Sequence, residues 1–414
     1  MGNKNTRKRE ASRVCWGELE AWVRSQVQEW IQALLEEEVT ELLGREWYTR
    51  RQGIDVPQGY RNGYHDPRHL TLSCGTVSVR RPRVRGLEER FQSRILPLFA
   101  RRTQEVGALL PELYLHGLSH GDFELALRGL LGEEAPLSAS TIARLKQKWQ
   151  AEYEEWSFRP LQDLEVLYLW VDGVYVKAGL EKEKAALLVG VAGLSDGRKV
   201  LVALEAGHRE SEASWSGLLR KLCDRGLQAP RLVIGDGHLG IWAALRNVFP
   251  QTEEQRCWNH RILNVLDKLP KRAQARARLM LRALPYAETM KEAERLKRTF
   301  QNWCQAQGYP AAAQVLDQDW DRMVTFYRFP KEHWIPLRTT NVVESPFAAL
   351  RLRTDAAKRF RKVENATAVI FKMLLVTEKR FRRLNAPDLL QEVYLGVKFV
   401  NGLPEKEEEM GVAA

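Results

Sequence analysis

Three carboxylates stand where chemistry could be built. Asp172 interrupts the apolar run Val166-Leu-Tyr-Leu-Trp-Val-Asp172-Gly-Val-Tyr-Val-Lys177. Asp236 ends a second such run, Arg231-Leu-Val-Ile-Gly-Asp236-Gly237. Glu344 falls at the start of an expected helix in Arg338-Thr-Thr-Asn-Val-Val-Glu344-Ser345. An ionised carboxylate beside a β-branched, aromatic run is costly unless something cationic meets it. Three of them, at strand ends and a helix start, can share two divalent cations, and hard oxygen ligands suit Mg²⁺ or Mn²⁺. Two such ions roughly 4 Å apart activate water or a 3′-hydroxyl and stabilise the leaving oxygen at phosphorus. Plainer readings stand beside this one. Asp-Gly between alternating runs is a turn signal, and Asn341-x-x-Glu344 resembles a capping box.

The elements around these residues have a definite order. The run 166–178 reads as a strand buried on both faces, with room for a bend at Asp172-Gly173. Apolar runs at 185–192 and 199–204 predict two more strands, and Ser211 to Arg225 a helix stopped by Gly226. A strand over 231–235 and a helix over 238–249 follow. Three adjacent strands, a helix and another strand ending in Asp is the order of an RNase H-like α/β core. The interval from 172 to 236 fits those elements. The interval from 236 to 344 is too long for one crossover and needs an insertion. The stretch 259–327 supplies it, helical throughout and broken at Pro285 and at Gly308-Tyr-Pro310. Helix returns over 341–383, carrying Arg351 and Arg353 among other basic residues.

Upstream of this core the chain reads as a mainly α DNA-binding region. Leu19, Trp22, Val23, Val27, Trp30 and Ile31 recur at helical spacing over 16–43, with Gly44 as the expected C-cap. Over 48–85, Gly and Pro punctuate a mixture of Arg and Tyr. Gly75 to Arg85 alternates like one strand whose basic face, Arg80, Arg81, Arg83 and Arg85, suits phosphate contacts. A solvated edge strand blunted by charge has the same look. Residues 104–150 predict three helices, the third capped by Ser138 and bearing Arg144, Lys146 and Lys148. Two short helices, a tight turn and a capped basic helix suggest helix-turn-helix. An acidic connector over 152–165 leads into the first strand. The expected organisation is therefore as follows: 1–100, a helix and basic β segment; 101–155, helix-turn-helix; 156–258, the first part of the core; 259–335, the all-α insertion; 336–390, the closing helices of the core; and 391–414, an acidic tail.

Composition narrows the function classes. The 414 residues are 44% hydrophobic and 28% charged, which is globular rather than disordered. Lys plus Arg number 64 against 53 Asp plus Glu, a net charge of +11 that favours a polyanionic partner, nucleic acid before membrane. Five cysteines, an odd number with no Cys-x-x-Cys, indicate a reducing compartment without a disulfide framework or zinc cluster. No apolar run reaches the length of a membrane span, and no apolar segment follows the basic N-terminus to make a secretory signal. Cys257-x-x-His260 offers two ligands where a structural zinc site needs four. The pair reads as a structural motif, a buried Cys with a hydrogen-bonded His.

Several stretches, weak singly, are specific in this order. They are Glu41-Leu-Leu-Gly44, Arg61-Asn-Gly-Tyr64, Leu113-Tyr-Leu-His-Gly-Leu-Ser119, Arg159-Pro-Leu161, Leu169-Trp-Val-Asp-Gly173, Arg209-Glu-Ser-Glu-Ala-Ser-Trp215, Gly235-Asp-Gly237, Phe249-Pro250, Gln255-Arg-Cys257-Trp-Asn-His260-Arg-Ile-Leu-Asn264 and Leu337-Arg-Thr-Thr-Asn-Val-Val-Glu344. From about Leu34 to about Arg383 the chain thus resembles the bacterial Mutator-type DDE transposases of insertion sequences. The resemblance implies a catalytic triad at Asp172, Asp236 and Glu344, and places the family's Cys-x-x-His element on Cys257 and His260. It implies two Mg²⁺ or Mn²⁺ ions, strand cleavage at the element's ends and 3′-OH strand transfer. Double-stranded DNA, both element ends and target, would be the partner of a homodimer or higher oligomer, in the bacterial cytoplasm at the nucleoid and away from membrane. One departure stands out: where the family carries an Arg soon after the Glu, this chain has Ser345-Pro346. Another RNase H-like nuclease, or a catalytically inactive DNA-binding regulator, are the alternatives. A long insertion and helix-turn-helix count against the first, and an intact carboxylate set against the second.

Overall fold

The computed structural model describes residues 15–50, 59–97, 101–103, 139–179, 184–207, 209–237 and 239–405, with a few isolated positions between 104 and 138. It divides into two compact units, Met1–Leu145 and Lys146–Ala414.

In the first unit, helix α1 (Leu19–Leu43) ends at Gly44, whose φ of 61° is left-handed, as the C-cap reading expects. Its inner face buries Leu35 against Leu70, Val77, Val79 and Leu96. Strands β1 (Tyr60–Tyr64) and β4 (Pro82–Arg85) pair antiparallel, and β2 (Arg68–Leu72) pairs β3 (Gly75–Val79) in a hairpin. The single strand expected over 75–85 is therefore two, broken at Arg80-Arg81. Gln32 accounts for the break, because its amide accepts from the Arg80 N–H and donates to the Arg80 carbonyl, both at 2.9 Å. Those backbone groups are then unavailable to a strand ladder. The helix-turn-helix reading over 104–138 lies outside the described residues, apart from isolated helical positions such as Val106 and Leu131.

Helix α2 (Ala139–Phe158) runs from one unit into the other, through residues expected to be a connector. Trp149, Tyr153 and Trp156 explain the extension, recurring at four and three to give the helix an apolar stripe. Tyr153 and Trp156 pack on Phe371, with ring centroids 5.5 and 5.0 Å away.

The second unit is built on a five-stranded sheet in the order β7-β6-β5-β8-β9. Its strands are β5 (Val166–Val176), β6 (Ala185–Leu194), β7 (Lys199–Gly207), β8 (Leu232–Gly235) and β9 (Glu253–Arg256). The first three form an antiparallel meander, while β8 and β9 run parallel to β5. Helix α3 (Glu212–Asp224), capped by the Ser211 hydroxyl, precedes β8, and α4 (Leu239–Val248) joins β8 to β9. Both helices bury large residues, Trp215, Leu219, Trp242 and Leu245, against Leu169, Val171 and Val202. Asp172-Gly173 makes no turn. Asp172 pairs Val189 and Gly173 pairs Leu188 within one long ladder, because apolar residues on both sides of the dipeptide have β6 to pack on.

After β9 the chain is helical as expected: α5 (Trp258–Leu266), α6 (Lys271–Ala283), α7 (Met290–Ala306), α8 (Pro310–Asp317), α9 (Trp320–Met323) and α10 (Trp334–Leu337), with 3₁₀ turns between. Pro285 lies in the turn after α6, and Pro310 opens α8. The helical run expected over 341–383 consists of two helices, α11 (Asn341–Ala357) and α12 (Val363–Glu378). Phe360 causes the gap. It is buried, and its N–H donates to the Lys177 carbonyl at 2.9 Å, docking the linker on the end of β5. The acidic stretch 404–409 lies almost wholly outside the described residues. Helix α13 (Pro387–Leu395) and a small hairpin, Phe399–Val400 with Leu403–Pro404, lead into it.

Candidate active site

Strand register relates the two aspartates. In the parallel pair, Trp170 lies opposite Ile234. Two residues further on stand Asp172, still within β5, and Asp236, one residue past the end of β8, on neighbouring strands that lie about 4.8 Å apart. Side-chain alternation then selects a face. Asp172 follows Tyr168 and Trp170 on one side of β5, while Leu169 and Val171 enter the core under α3 and α4. On the Tyr168 and Trp170 side lie His333, which meets the Tyr168 hydroxyl at 2.8 Å, and Pro336, whose carbonyl accepts from Trp170 Nε1 at 2.9 Å. Helix α11 packs on β5 and β6 and carries Glu344 in its first turn.

Helix α5 supplies the fourth member. His260 Nδ1 lies 3.2 Å from Asp236 Oδ1 and 3.7 Å from Glu344 Oε1. Despite that closeness the ring nitrogen has no aligned hydrogen bond among the described residues, so the contact is ionic. The three side chains remain between 25% and 28% exposed, open enough for a ligand to reach them. Burial works against charge on His260, but the Cys257 sulfur, Asp236 and Glu344 outweigh it and raise its pKa to about 9. The imidazole is therefore cationic at neutral pH in the metal-free protein. Burial pushes the Asp172 carboxyl up to about 7. Glu344 and Glu210 add to the shift, opposed by the Gly173 N–H, which Asp172 Oδ1 accepts at 2.8 Å, and by His260.

Thr340 ties the histidine motif to the glutamate. Its N–H and hydroxyl approach the buried Cys257 Sγ at 3.4 and 3.2 Å, and the hydroxyl also contacts Glu344 Oε1. This replaces the expected capping box. Thr340, not Asn341, stands at the N-cap, and the Glu344 carboxylate engages a side-chain hydroxyl. Cys257, His260 and Glu344 bring one donor atom each within 4.8 Å of one another. Pro346 lies inside α11, near its start.

Two groups escaped the sequence reading. Glu210 packs so closely on Gly173 that a Cβ there would meet its Oε1 at 2.4 Å, and it hydrogen-bonds Tyr175. Its position just before the Ser211 cap was the available signal. Asp319, with a left-handed φ of 57°, accepts from Arg256 at 2.7 Å, Arg261 at 3.0 Å and Arg322 at 2.8 Å. Arg256 Nε also donates to the Asp236 carbonyl at 3.1 Å, so this cluster braces the loop that carries Asp236. No pattern in sequence links residue 319 to residue 236.

The basic residues singled out earlier divide by exposure. Arg80, Arg85, Arg144, Lys148 and Arg351 are exposed, and Arg83 and Lys146 are half-buried. Lys148 lies 3.9 Å from Glu152. Arg81 and Arg353 are only 6% and 2% exposed, so burial leaves them little surface to offer a phosphate.

The site thus joins an aspartate within the central strand of a mixed sheet, an aspartate just past the end of the neighbouring parallel strand, a glutamate from a covering helix and a histidine beside the last two. Comparison with known proteins gives that arrangement a family. The model for transposases of the Mutator family matches residues 4–383. The chain belongs to that family. It is 45% identical over 294 residues, 71% of this chain and 91% of the relative, to the transposase for insertion sequence element IS6120 of Mycolicibacterium smegmatis. It is 40% identical over 281 residues, 67% and 95% of the two chains, to the transposase for IST2 of Acidithiobacillus ferrooxidans. Over 379 residues, 89% and 92%, it is 28% identical to the transposase for ISRM5 of Rhizobium meliloti.

Proposed function

We propose that this chain cleaves DNA at the ends of an insertion sequence and joins the freed 3′-OH to target DNA, using divalent cations held by Asp172, Asp236 and Glu344. The observation that carries the proposal is the gathering of those three carboxylates around His260, which lies between Asp236 and Glu344 and within electrostatic reach of Asp172. Strand order, with a three-strand meander followed by two parallel strands, supports an RNase H-like core, and the helices between Trp258 and Leu337 support an insertion within it.

The donor set fits hard cations. It is rich in carboxylate oxygen, and Asp172 is held in a buried setting that disfavours its charge until a cation compensates. When bound, two Mg²⁺ or Mn²⁺ ions would activate the attacking hydroxyl and stabilise the leaving oxygen. The chain's own groups prepare for this. Asp172 within β5 and Asp236 just past the end of the neighbouring β8 would present their oxygens to the ions. Thr340 and His260 orient Glu344, and His260 relieves the repulsion between Glu344 and Asp236. Arg256 anchors the Asp236 backbone. Cys257, buried behind Thr340, is a structural element of the wall.

Double-stranded DNA is the partner, with exposed Arg80, Arg85, Arg144, Lys148 and Arg351 available to its backbone and base edges. Pairing of two element ends calls for a homodimer or higher oligomer. The test is nicking of a duplex carrying the element's terminal sequence in Mg²⁺, with the freed 3′ end scored for joining to a second duplex. Binding of the duplex without metal-dependent nicking would leave a DNA-binding regulator as the surviving account.

A further inference from the structure

A cavity of about 520 Å³ lies between α5, α6, α10 and the start of α11. Its lining combines exposed apolar side chains with arginines. Tyr286, Ile335 and Leu263 are large apolar residues 71%, 72% and 52% exposed, an unusual outlay of apolar surface around one opening. Arg278, Arg282 and Arg338 line the same cavity, and none of them has an ion-pair partner among the described residues.

Arg338 is the telling member. It is only 8% exposed, and its Nε has no hydrogen-bond partner among the described residues. Its guanidinium is sandwiched among the rings of Tyr286, Phe326 and Trp334, at 5.0, 4.9 and 5.3 Å. Ring faces orient the cation but do not neutralise it. A buried guanidinium without a carboxylate calls for an anion from outside the chain. Two exposed arginines beside it add to the positive field, and a planar fork suits phosphate oxygens.

The cavity also shares a wall with the carboxylates. Asn259 Nδ2 donates to Asn341 Oδ1 at 3.0 Å along its lining. Asn259 precedes His260, and Asn341 opens the helix that carries Glu344. A strand lying at the carboxylates is therefore within a short reach of the cavity.

We propose that this cavity holds one unstacked nucleotide of the DNA strand beside the scissile phosphate. Its base would lie against Tyr286, Leu263 and Ile335, and its phosphate on Arg338, Arg282 and Arg278. A paired base inside a duplex cannot offer its face to Tyr286, so the site selects unpaired DNA. The inference rests on the reading of the carboxylates as the DNA-cleaving site.

The test uses the full chain in EDTA, where no cleavage intervenes. Two duplexes of one sequence are compared by fluorescence anisotropy, one fully paired and one with a single bulged 5-iodouracil nucleotide. The wild type should bind the bulged duplex on the order of tenfold more tightly, within the range of base–aromatic stacking. Tyr286→Ala, at an exposed position, should reduce that preference to near parity while binding of the paired duplex changes by no more than about twofold, since the ring meets only an unpaired base. Arg282→Ala should reduce the preference while also weakening both duplexes through its lost charge. Photocrosslinking should attach the iodouracil to Tyr286. Equal binding of the two duplexes by the wild type, or an undiminished preference in both variants, would overturn the cavity's role alone. Displacement of the bulged duplex by equimolar free deoxynucleoside monophosphate would replace the strand with a free nucleotide as the occupant. Failure of the wild type to bind either duplex would bring down the cavity and the cleavage reading together.

Discussion

His260 Nδ1 lies 3.2 Å from Asp236 Oδ1, and the same nitrogen lies 3.7 Å from Glu344 Oε1. One ring from α5 thereby bridges a strand-end aspartate and a helix-borne glutamate that are more than a hundred residues apart in sequence. In the metal-free protein its positive charge offsets two negative ones, and the surrounding sulfur and carboxylates raise its pKa to about 9 against the cost of burial.

Removing charge from the carboxylates separates binding from chemistry. Asp172→Asn, Asp236→Asn and Glu344→Gln keep shape but lose the ligand charge. Each should lower nicking of an end-containing duplex in Mg²⁺ by at least about 100-fold, the loss expected when a metal site is disrupted. Gel-shift affinity for the same duplex should be unchanged. Near wild-type nicking by any one variant would remove that residue from the site, and for Glu344 would leave only its contact with Thr340.

The raised pKa of Asp172 has a pH signature. A carboxyl whose pKa climbs from 3.8 unfolded to about 7 folded stabilises the metal-free protein below the unfolded value. That contribution is lost as pH rises through about 7. Asp172→Asn abolishes the loss, so its Tm relative to wild type should increase from pH 5 to pH 8 in EDTA. Mg²⁺ favours the ionised form and should stabilise the wild type most at the upper end of that range. A Tm difference that does not change with pH would show that Asp172 is not in this setting.

His260 acts in the next window. Its pKa is raised from 6.5 to about 9, so its stabilising contribution is complete below 6.5 and disappears through about 9. His260→Ala should destabilise the metal-free protein more at pH 6 than at pH 9.5. As a group that orients metal ligands, it should also cost roughly 10–100-fold in nicking, recovered in part by higher Mg²⁺. Cys257→Ser should lower Tm without altering the Mg²⁺ dependence. Elemental analysis finding one zinc per chain would instead make Cys257, His260 and Glu344 a ligand set.

Asp319 tests the brace behind Asp236. Its carboxylate takes Arg256, Arg261 and Arg322, and its own side chain is 24% exposed. Asp319→Ala should cost on the order of 3 kcal/mol in urea unfolding, the low end for an ion pair broken inside a protein. Gly237→Ala should have a sharper effect on activity than on stability. Its φ of +99° disfavours a side chain, and a Cβ would meet Arg256 Nε at 2.2 Å. Wild-type nicking by Gly237→Ala would show that the loop adjusts without Arg256.

The phosphate contacts proposed for the first unit predict a dependence on salt. Arg85→Ala should weaken binding to terminal and random duplexes alike and reduce the slope of log K against log salt by about 1. Arg144→Ala should instead erode the preference for the terminal sequence, by roughly 1–3 kcal/mol if it makes a bidentate base contact. An unchanged salt slope for Arg85→Ala would exclude a backbone contact at that residue.

Local patterning determined much of this protein before any coordinates. Apolar runs and their punctuation specified β5 to β8, helices α3 and α4, the helical stretch after β9 and the cap at Gly44, because burial period and backbone chemistry act over a few residues. The same runs drew attention to Asp172 and Asp236. Tertiary structure decided what depends on distant partners. Gln32 split the basic strand at Arg80, Phe360 set the point at which the helical run over 341–383 is interrupted by docking beside β5, and β6 carried the strand straight through Asp172-Gly173. Burial of Arg81 and Arg353 could not be read from their neighbours, since a strand or helix face has no inside until something covers it. Most of all, the meeting of His260 with Asp236 and Glu344, the approach of Glu210 to Gly173 and the bracing of Asp236 through Asp319 required the sheet to close in one register and the helices to pack over it. Those contacts join residues whose separation in sequence carries no periodic signal, and only the three-dimensional packing free energy selects them.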